Sequence, residues 1–552
     1  MNHISKLAII LMFIFVASCS KKDNKPAQKV FRMDSHSLDG KTNTSFTYSL
    51  VSLSPKLVLN FSDRIDESSI SKAVYLTRTA GSALQYDYSL ENDNTTLVVS
   101  PASRLQGLTA YSFIVYDDLV SQAGNKLSQG VIVSFSTGID STDKFEVVGD
   151  EELLTLVQRQ TFKYFWDFGH PVSGLARERN TSGDQVTSGG SGFGIMAIVA
   201  GISREFITRQ EGLARMKTIV SFLKNTAQTF HGAYPHWLNG ATGAAMPFSQ
   251  YDDGADLVET SYLMQGLITA RQFFNGGDPD ETTLRDDINT IWNRVEWDWF
   301  RNNSRNVLYW HWSPNYEWQM NFPIKGWNEC LITYVMAASS TTHTIPKTVY
   351  DEGWAQNGAI QNGNSYYGVL LPMGPANGGP LFFAHYSFLG LNPTGLSDQY
   401  ANYWAQNVAH TKINYNYCVT NPKEFTGYSD AMWGLTASDN QNGYSAHSPD
   451  NDLGVITPTA AISSMPYTPE ESMRALKFFY YKLGDRLWKE YGFVDAFSLN
   501  DAWYADSFLA IDQGPIIIMI ENYRSGLLWD LFMSAPEVKD GLTKLGFSGP
   551  NL

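Results

Sequence analysis

Several acidic residues in the stretch 250–276, QYDDGADLVETSYLMQGLITARQFFNG, are spaced in a way that could support acid–base chemistry. Asp252, Asp256 and Glu259 have the i, i+4, i+7 spacing that places side chains on one face of a helix. Carboxylates on one stripe repel one another, so we expect the stripe to serve function rather than helix stability. The alternative is that these acids complement the helix dipole, with Asp252 or Asp253 as the cap.

A further acidic candidate is Glu329, in the motif KGWNEC that precedes the apolar run LITYVMAAS. The neighbouring Trp327 and Cys330 make its surroundings apolar, and apolar surroundings raise the pKa of a carboxyl group. A carboxyl with a raised pKa can act as a general acid near neutrality. The alternative is an acid placed favourably in the first turn of a helix.

Other residues are candidates for binding a sugar, because aromatic rings stack on pyranose faces and polar side chains bind hydroxyl groups. These substrate-binding candidates are Trp327, Trp237, His311, Asp430, Glu521 and Arg524. A structural ion pair between Glu521 and Arg524 is the alternative for those two. The histidines beside tryptophans, His236 and His311, are expected to pack or to bind hydroxyl groups rather than a metal. The chain has no HExxH or CxxC pattern, and its glycine-rich stretch 189–194 lacks a phosphate-loop lysine, so we expect no metal and no cofactor. We interpret that stretch as close backbone packing or a sugar-facing loop.

The composition limits the class of protein. A chain of 552 residues is too long for one ordinary domain and predicts two or three units. A net charge of −15 argues against nucleic acid or an anionic membrane surface as the main partner. An aromatic content of 14% fits a core but is also what a sugar-binding cleft needs. Cys330 and Cys418 are expected to be free and buried, and the protein is expected to be a monomer.

Residues 1–19 are typical of a bacterial lipoprotein signal peptide. The apolar run 7–16 is too short to span a membrane as a helix, and it ends in Val-Ala-Ser-Cys, which resembles a lipobox. We therefore expect acylation of Cys19 and a lipid anchor in the bacterial envelope, facing the periplasm or the cell surface. An ordinary secretory signal with a chance cysteine is the alternative. Residues 20–29 are polar and are predicted to form a tether.

Residues 30–138 are predicted to form an antiparallel β-sandwich. Runs of β-branched and aromatic residues, such as LVLNF and YSFIV, are separated by turn-rich segments. The motifs LNFSDRIDESSI, LVVSPASRLQGLTAYSFIV and AGNKL…VSFSTG resemble the bacterial Ig-like domains of the SbsA/Big_5 type. The resemblance implies a spacer or accessory module without catalysis of its own.

After a linker at 139–149, the pattern changes to helices. Apolar residues at a helical spacing begin near Glu151 and recur in about a dozen segments, many of which end at Gly, Pro or Asn. Long loops rich in glycine and aromatic residues separate these segments. An all-helical body of this size with such loops fits a toroid of paired helices, in which the loops form the walls of a cleft.

The order of several long motifs in residues 150–552 resembles the glucoamylase-like family, glycoside hydrolase family 144. The motifs are GLARER, GGSGFG, DDGADLVETSYLMQGL, KGWNEC, PLFFAHYSFLGLNP, GYSDAMWGLTASD, SSMPYTPEESM and IDQGPIIIMIENYRSGLLWDLFMS. The resemblance implies an (α/α)6 barrel that hydrolyses β-1,2-linked glucan by inversion, either within the chain or with release of sophorose. The family's important acids match Asp252, Asp256, Glu259 and Glu329.

Inverting hydrolysis needs one protonated carboxyl at the glycosidic oxygen and one ionised carboxylate that activates water. We interpret Glu329 as the acid and Asp256 as the base, with Glu259 and Asp252 as alternative bases or substrate ligands. A relay through water, or a base at Asp512 or Glu521, is the alternative. The rival functions are hydrolysis of α-glucan, a lyase reaction, and binding of glycan without catalysis; the acidic cleft argues against a lyase.

Overall fold

The computed structural model describes residues 30–78, 81 and 83–552. The predicted signal peptide, the tether and the lipidation site Cys19 lie outside the described residues. The chain divides between Gly138 and Ile139 into two compact units. Across the described part of the chain, no helix is both long enough and apolar enough to cross a membrane.

The first unit is built from two sheets of short strands. The strands are β1 (Met33–Leu38), β2 (Thr47–Val51), β3 (Leu57–Phe61), β4 (Val74–Arg78), β5 (Ala83–Leu84), β6 (Tyr86–Glu91), β7 (Thr96–Pro101), β8 (Ala110–Val115) and β9 (Val131–Thr137). One sheet has the order β1-β3-β7-β6 and the other the order β2-β9-β8-β4-β5. All pairs are antiparallel except β2 with β9. A short helix, α1 (Ile70–Ala73), follows a 3-10 turn and leads into β4.

Alternating side chains from the two sheets form the core of this unit. Leu57, Leu59 and Phe61 of β3 are buried, as are Phe113 and Val115 of β8, and they belong to one hydrophobic cluster. Successive residues of a strand point to opposite faces, so this period of two directs one side of each strand into the core. The predicted β-sandwich is confirmed, and its predicted antiparallel pairing holds except between β2 and β9.

The second unit is mainly helical. Its helices are α2 (Asp150–Trp166), α3 (Ser188–Ser203), α4 (Arg209–Asn225), α5 (Leu257–Phe273), α6 (Pro279–Asn293), α7 (Leu331–Ser339), α8 (Lys347–Val349), α9 (Tyr403–Thr420), α10 (Pro458–Ile462), α11 (Pro469–Lys477), α12 (Gly484–Leu487), α13 (Ala510–Ser525), α14 (Leu527–Met533) and α15 (Pro536–Leu545). Short strand pairs lie in the long connections: β10 (Gln185–Thr187), β11 (Trp237–Asn239), β12 (Ala245–Met246), β13 (Ala255–Asp256), β14 (His311–Trp312), β15 (Ser365–Tyr366), β16 (Val369–Leu370), β17 (Ala437–Asn440), β18 (Gly443–Ala446), β19 (Trp488–Lys489), β20 (Gly492–Phe493), β21 (Phe497–Ser498) and β22 (Trp503–Tyr504). Single turns of 3-10 or π helix complete the connections, among them Trp297–Arg301, Tyr350–Trp354, Leu381–Ala384, Tyr386–Phe388 and Phe478–Lys482.

Helices α3 and α5 pack closely because both are buried around glycines. A Cβ added to Gly192 would lie 2.2 Å from the carbonyl oxygen of Tyr262, and one added to Gly266 would lie 2.2 Å from that of Gly192. The glycine-rich stretch 189–194 therefore lies inside α3 and is not a loop. Close backbone approach to α5 outweighs the low helix propensity of its glycines, so the predicted close packing was right and the predicted sugar-facing loop was wrong.

Helices α5 and α7 begin later than the sequence pattern predicts. Asp256 belongs to β13, which pairs with β14, so α5 begins only at Leu257. Helix α7 begins at Leu331, with Cys330 as its N-cap, and Glu329 lies in the preceding turn. The prediction of three carboxylates along one helical face is therefore wrong: strand pairing holds Asp256 in an extended conformation, and Asp252 lies in a turn before it.

The two cysteines of this unit, Cys330 and Cys418, are both free and buried. This confirms the sequence-based prediction. Burial raises the pKa of each thiol well above its usual range. They are therefore inert core residues.

Candidate active site

A cavity of about 720 Å³ opens in the second unit between the starts of α3, α5, α7 and α13. Its lining combines acids with aromatic side chains. The lining residues central to the chemistry are Glu178, Thr187, His236, Trp237, Phe248, Glu259, Tyr262, Trp310, Glu329, Tyr386 and Tyr444. A cavity walled by rings, with a few convergent carboxyl groups, suits a carbohydrate chain.

Glu329 lines this cavity from the turn before α7. Its backbone carbonyl accepts hydrogen bonds from the hydroxyls of Tyr262, at 3.3 Å, and Ser387, which fix the turn. Burial raises the pKa of the Glu329 carboxyl to about 7, and the charges of Asp256 and Glu259 act in the same direction. The carboxyl can therefore carry a proton near neutrality, as the sequence predicts.

Glu259 reaches the same cavity from the first turn of α5 and is 7% exposed. Its Oε2 accepts hydrogen bonds from the backbone N–H of Gly189, at 2.7 Å, and from the hydroxyl of Thr187, at 3.0 Å. Burial raises the pKa of Glu259, and the charge of Asp256 adds to this; His236 opposes it. The start of α3 therefore holds one oxygen of Glu259 in place.

Asp256 is fully buried and is the N-cap of α5. Its Oδ1 accepts hydrogen bonds from the backbone N–H groups of Val258 and Glu259, both at 2.9 Å. Its Oδ2 accepts one from His236 Nδ1, at 3.0 Å, and one from Trp310 Nε1, at 3.3 Å. Burial acts to raise the pKa of Asp256, but the hydrogen bond from His236 and the nearby imidazoles outweigh it and lower the pKa. Asp256 is thus an ionised cap whose oxygens are already engaged.

Asp252 and His311 complete a compact group around Asp256. His311 Nδ1 lies 3.2 Å from Asp252 Oδ2 and 3.7 Å from Asp256 Oδ2, and His236 Nδ1 lies 4.0 Å from Asp252 Oδ2. For His236, burial lowers the pKa, but the charges of Glu259, Asp256 and Asp252 outweigh it and raise the pKa to about 9. His236, Asp252 and Asp256 each offer an atom with which they could hold a metal ion together.

A second group of buried carboxyls adjoins the cavity at the start of α13. Asp495 Oδ2 accepts a hydrogen bond from the backbone N–H of Asp439 at 2.7 Å, and the Asp495 and Asp512 carboxyls interact electrostatically. Burial raises the pKa of Asp495 to about 7, and burial with the charge of Asp495 raises that of Asp512 well above its usual range. Arg179 pairs with Asp439 at 3.1 Å. The pair Asp495–Asp512 therefore shares a proton near neutrality.

A smaller cavity, of about 580 Å³, continues from the first one. The two share Arg179, Thr181 and Tyr444 in their walls. Trp503 and Tyr504 of β22 add rings to the smaller cavity.

Several sequence candidates lie away from the cavity. Trp327 is 4% exposed, and its indole N–H approaches His410 Nδ1 at 3.4 Å, so it is a core residue. Asp430 forms an exposed pair with Arg474 at 3.3 Å. Trp237 does line the cavity, where it packs on Phe248.

Glu521 and Arg524 are structural. Glu521 is buried and accepts hydrogen bonds from Arg204 at 2.6 and 2.9 Å, and Arg524 binds Gln158 at 2.7 Å and Glu151 at 3.1 Å. The predicted ion pair between Glu521 and Arg524 is therefore wrong. Although the two residues are only three positions apart on α13, each side chain binds a different partner. Neither residue lines the cavity.

Sequence reasoning missed Thr187 and Gly189, which hold Glu259, and the pair of Asp439 and Asp495. No local pattern marks Thr187, Asp439 or Asp495, because their partners are far away in the chain. The glycine-rich stretch did carry a signal for Gly189, since a Cβ there would lie 2.6 Å from Glu259 Oε2.

Comparisons with known proteins find a matching family model for each of the two units. Residues 39–137 match the family model of the bacterial Ig-like domain Big_5, and residues 321–536 match the glucoamylase family model Glycoamylase. A relative in Parabacteroides distasonis, an exo β-1,2-glucooligosaccharide sophorohydrolase (non-reducing end), is 44% identical over 459 residues, which is 78% of this chain. This chain spans 63% of the length of that curated relative.

Solved structures show the same similarity. The endo-β-1,2-glucanase of Chitinophaga pinensis, in complex with sophorotriose and glucose, is 53% identical, with a TM-score of 0.72; the match covers 74% of this chain and all of that one. The β-1,2-glucanase of Parabacteroides distasonis is 37% identical, with a TM-score of 0.71, over 94% of this chain and 73% of that one.

Proposed function

This chain belongs to the glucoamylase-like family of glycoside hydrolases, family 144, and we propose that it hydrolyses β-1,2-linked glucan or sophoro-oligosaccharides. Solved structures of proteins named as β-1,2-glucanases match 74% and 94% of this chain. One of these relatives is named as an endo-acting and another as an exo-acting enzyme.

The main support for hydrolysis is the position and the raised pKa of Glu329. It lies on the surface of a ring-walled cavity, and its pKa is raised to about 7. A protonated carboxyl at this place can donate its proton to the oxygen of a glycosidic bond as that bond breaks. We assign the role of general acid to Glu329.

The base of an inverting mechanism removes a proton from the attacking water. We assign this role to Glu259 rather than to Asp256, because Glu259 is on the cavity surface and Asp256 is enclosed with its oxygens engaged. Asp256 acts instead as a positioning residue, through His236. The Asp495–Asp512 pair is the rival base, since one carboxyl of a pair that shares a proton is ionised.

We also infer that the helices close into the (α/α)6 toroid that the family resemblance implies. The neighbours support a ring: α2 packs on α3 and α13, α3 on α5, and α5 on α7. The starts of α3, α5, α7 and α13 meet at the cavity. This places the acids at one end of the inner helices.

The test is incubation with defined glucans of β-1,2, β-1,3 and α-1,4 linkage, with detection of new reducing ends. We expect products from the β-1,2 polymer alone, and NMR should show the α-anomer first, as inversion of a β-linkage requires. Products from α-1,4-glucan alone, or binding without products, would refute the proposal. Comparing Glu259→Gln with Asp495→Asn identifies the base, because Asp495 is the member of its pair with the lower pKa and only the variant that lacks the base should lose water activation.

For localisation, we propose a lipid anchor at Cys19 in the bacterial envelope. The support is the apolar run that ends in Val-Ala-Ser-Cys. A tethered hydrolase of this kind would meet its glucan outside the cytoplasm.

A further inference from the structure

Glu178 and Arg179 form a charged pair in the wall of the cavity that holds Glu329, and neither has a role as acid or base. Arg179 Nε lies 3.1 Å from each carboxylate oxygen of Glu178. On its other side, Arg179 Nη1 lies 3.1 and 3.3 Å from the two carboxylate oxygens of Asp439. One guanidinium group is therefore held between two carboxylates at the surface of the cavity.

The segment that leads into α13 fixes this pair. The backbone N–H of Ala510 donates a hydrogen bond to the carbonyl oxygen of Glu178 at 3.0 Å. The hydroxyl of Ser507 donates one to Asp439 Oδ2 at 2.6 Å, so the second carboxylate is also held in place. Groups that are fixed before a ligand arrives lose little conformational entropy on binding it.

The pair keeps hydrogen-bonding capacity that the protein does not use. Within the described part of the chain, nothing accepts a hydrogen bond from Arg179 Nη2, and the Glu178 carboxylate accepts hydrogen bonds from Arg179 alone. The Arg179 side chain is 30% exposed, so a ligand in the cavity can reach it. A carboxylate has about four acceptor positions, and Nη2 has two N–H donors. The wall therefore offers an acceptor and a donor side by side.

The charges of this wall select the class of ligand. Two carboxylates outnumber the one guanidinium, so the group as a whole is negative and disfavours an anionic ligand. Two neighbouring hydroxyl groups suit it well, because one hydroxyl can donate to the Glu178 carboxylate while the other accepts from Arg179. Such hydroxyl pairs are a feature of neutral sugars.

We propose that Glu178 and Arg179 bind the adjacent 3- and 4-hydroxyls of an internal glucose unit and thereby select the 1,2 linkage. This inference rests on the proposed function. An internal unit of a 1,2-linked glucan keeps both hydroxyls free, whereas a 1,3 linkage consumes the first and a 1,4 linkage the second. A unit of either other type leaves the carboxylate or the guanidinium without its partner, which costs affinity.

The test measures binding by the full-length protein with Glu329→Gln, which lacks the general acid. Calorimetry compares the β-1,2-linked glucopentaose with analogues in which one unit lacks its 3- or 4-hydroxyl. Removing either hydroxyl at one particular unit should weaken binding about 10- to 150-fold, the value of a hydrogen bond to a charged group. With Arg179→Gln added, removing the hydroxyl that Arg179 binds should cost no more than a few-fold, because its partner is already gone. A purely structural role for Arg179 predicts the same cost in both proteins.

Glu178→Gln should weaken the dependence on the neighbouring hydroxyl in the same way. Arg474→Gln is the matched control, because Arg474 forms an exposed pair with Asp430 at 3.3 Å. Thermal melts confirm folding, and Arg179→Lys, which keeps the charge but loses the planar fork, replaces Arg179→Gln if that variant does not fold.

The outcomes separate this inference from the proposed function. Binding of the pentasaccharide with an equal cost of hydroxyl removal in the presence and absence of Arg179 would overturn the inference and leave the proposed function standing. Binding that is insensitive to every single hydroxyl would do the same. Failure of the Glu329→Gln protein to bind the pentasaccharide, together with no turnover by the wild type, would overturn both.

Discussion

The backbone N–H of Gly189 donates a hydrogen bond to Glu259 Oε2 at 2.7 Å, and so the start of α3 holds a carboxyl of α5 at the cavity. The contact is close because Gly189 has no side chain. A Cβ there would lie 2.6 Å from Glu259 Oε2 and 2.8 Å from the Tyr262 ring. One of the two side chains would have to move.

The substitution Gly189→Ala should therefore lower kcat by about 100-fold, since a displacement of roughly 1 Å in a reacting group can cost that much. Steady-state kinetics measures it. Gly277→Ala is the control, because a Cβ at Gly277 meets nothing within 4 Å. Equal kcat values in the two variants would show that the position of Glu259 is not critical.

Replacing the general acid should abolish most turnover. We expect Glu329→Gln to lower kcat by about 10²–10⁴-fold with little change in the melting temperature, because the amide cannot deliver a proton. Kinetics on β-1,2-glucan, with a thermal melt as the check on folding, tests this. A folded variant that stays within a few-fold of the wild type would remove Glu329 from the mechanism.

The pH dependence of kcat should reflect the same group. Glu329 must be protonated to act, and its pKa is raised to about 7, so kcat should fall as the pH rises above about 7. Well above pH 7, kcat should fall about tenfold for each pH unit. Measuring kcat from pH 5 to 9 locates this limb. A plateau that extends to pH 9 would contradict the assignment.

The ion pair between buried Glu521 and half-buried Arg204 should matter for stability rather than for substrate binding. Glu521→Gln leaves Arg204 without its carboxylate and should destabilise the second unit by roughly 3–5 kcal/mol. Burial acts to raise the pKa of Glu521, but its hydrogen bonds and Arg204 lower it below its ordinary value of 4.5. The stabilisation is thus complete above that value and is lost as the pH falls through the lowered pKa.

Thermal melts from pH 7 to pH 3 measure this effect in the wild type and in Glu521→Gln. Asp430→Asn is the comparison, because the exposed pair of Asp430 and Arg474 should contribute about 0–1 kcal/mol. If the Glu521→Gln variant and the wild type have the same melting temperature at pH 7, the pair does not stabilise this unit.

The lipid anchor is tested by Cys19→Ser. Without a thiol to acylate, the protein should leave the membrane fraction and appear in the soluble fraction of the envelope. Fractionation with immunodetection measures the distribution. Membrane association equal to that of the wild type would exclude Cys19 as the anchor site.

The sequence alone was sufficient for several features of this protein. Alternation of apolar residues in runs such as Leu57–Phe61 predicts the strands of the sandwich, because a period of two depends only on local backbone geometry. Long motifs such as KGWNEC and DDGADLVE identify the family and select Glu329 as the acid, but for the base they favour Asp256 and leave Glu259 as an alternative. The apolar neighbours of Glu329 even predict its raised pKa, since burial of that turn follows from the residues beside it.

Other features depend on partners that are distant in the chain. Whether Asp256 is a base or a cap depends on β14, which pairs with it and ends the apparent helical stripe. Arg204, more than 300 positions away, makes Glu521 structural, and Trp327 is buried although its motif lies at the site. Tertiary packing alone brings Asp252 and His311 to within 3.2 Å, because the distance between side chains from separate elements is set by how those elements pack and not by local spacing.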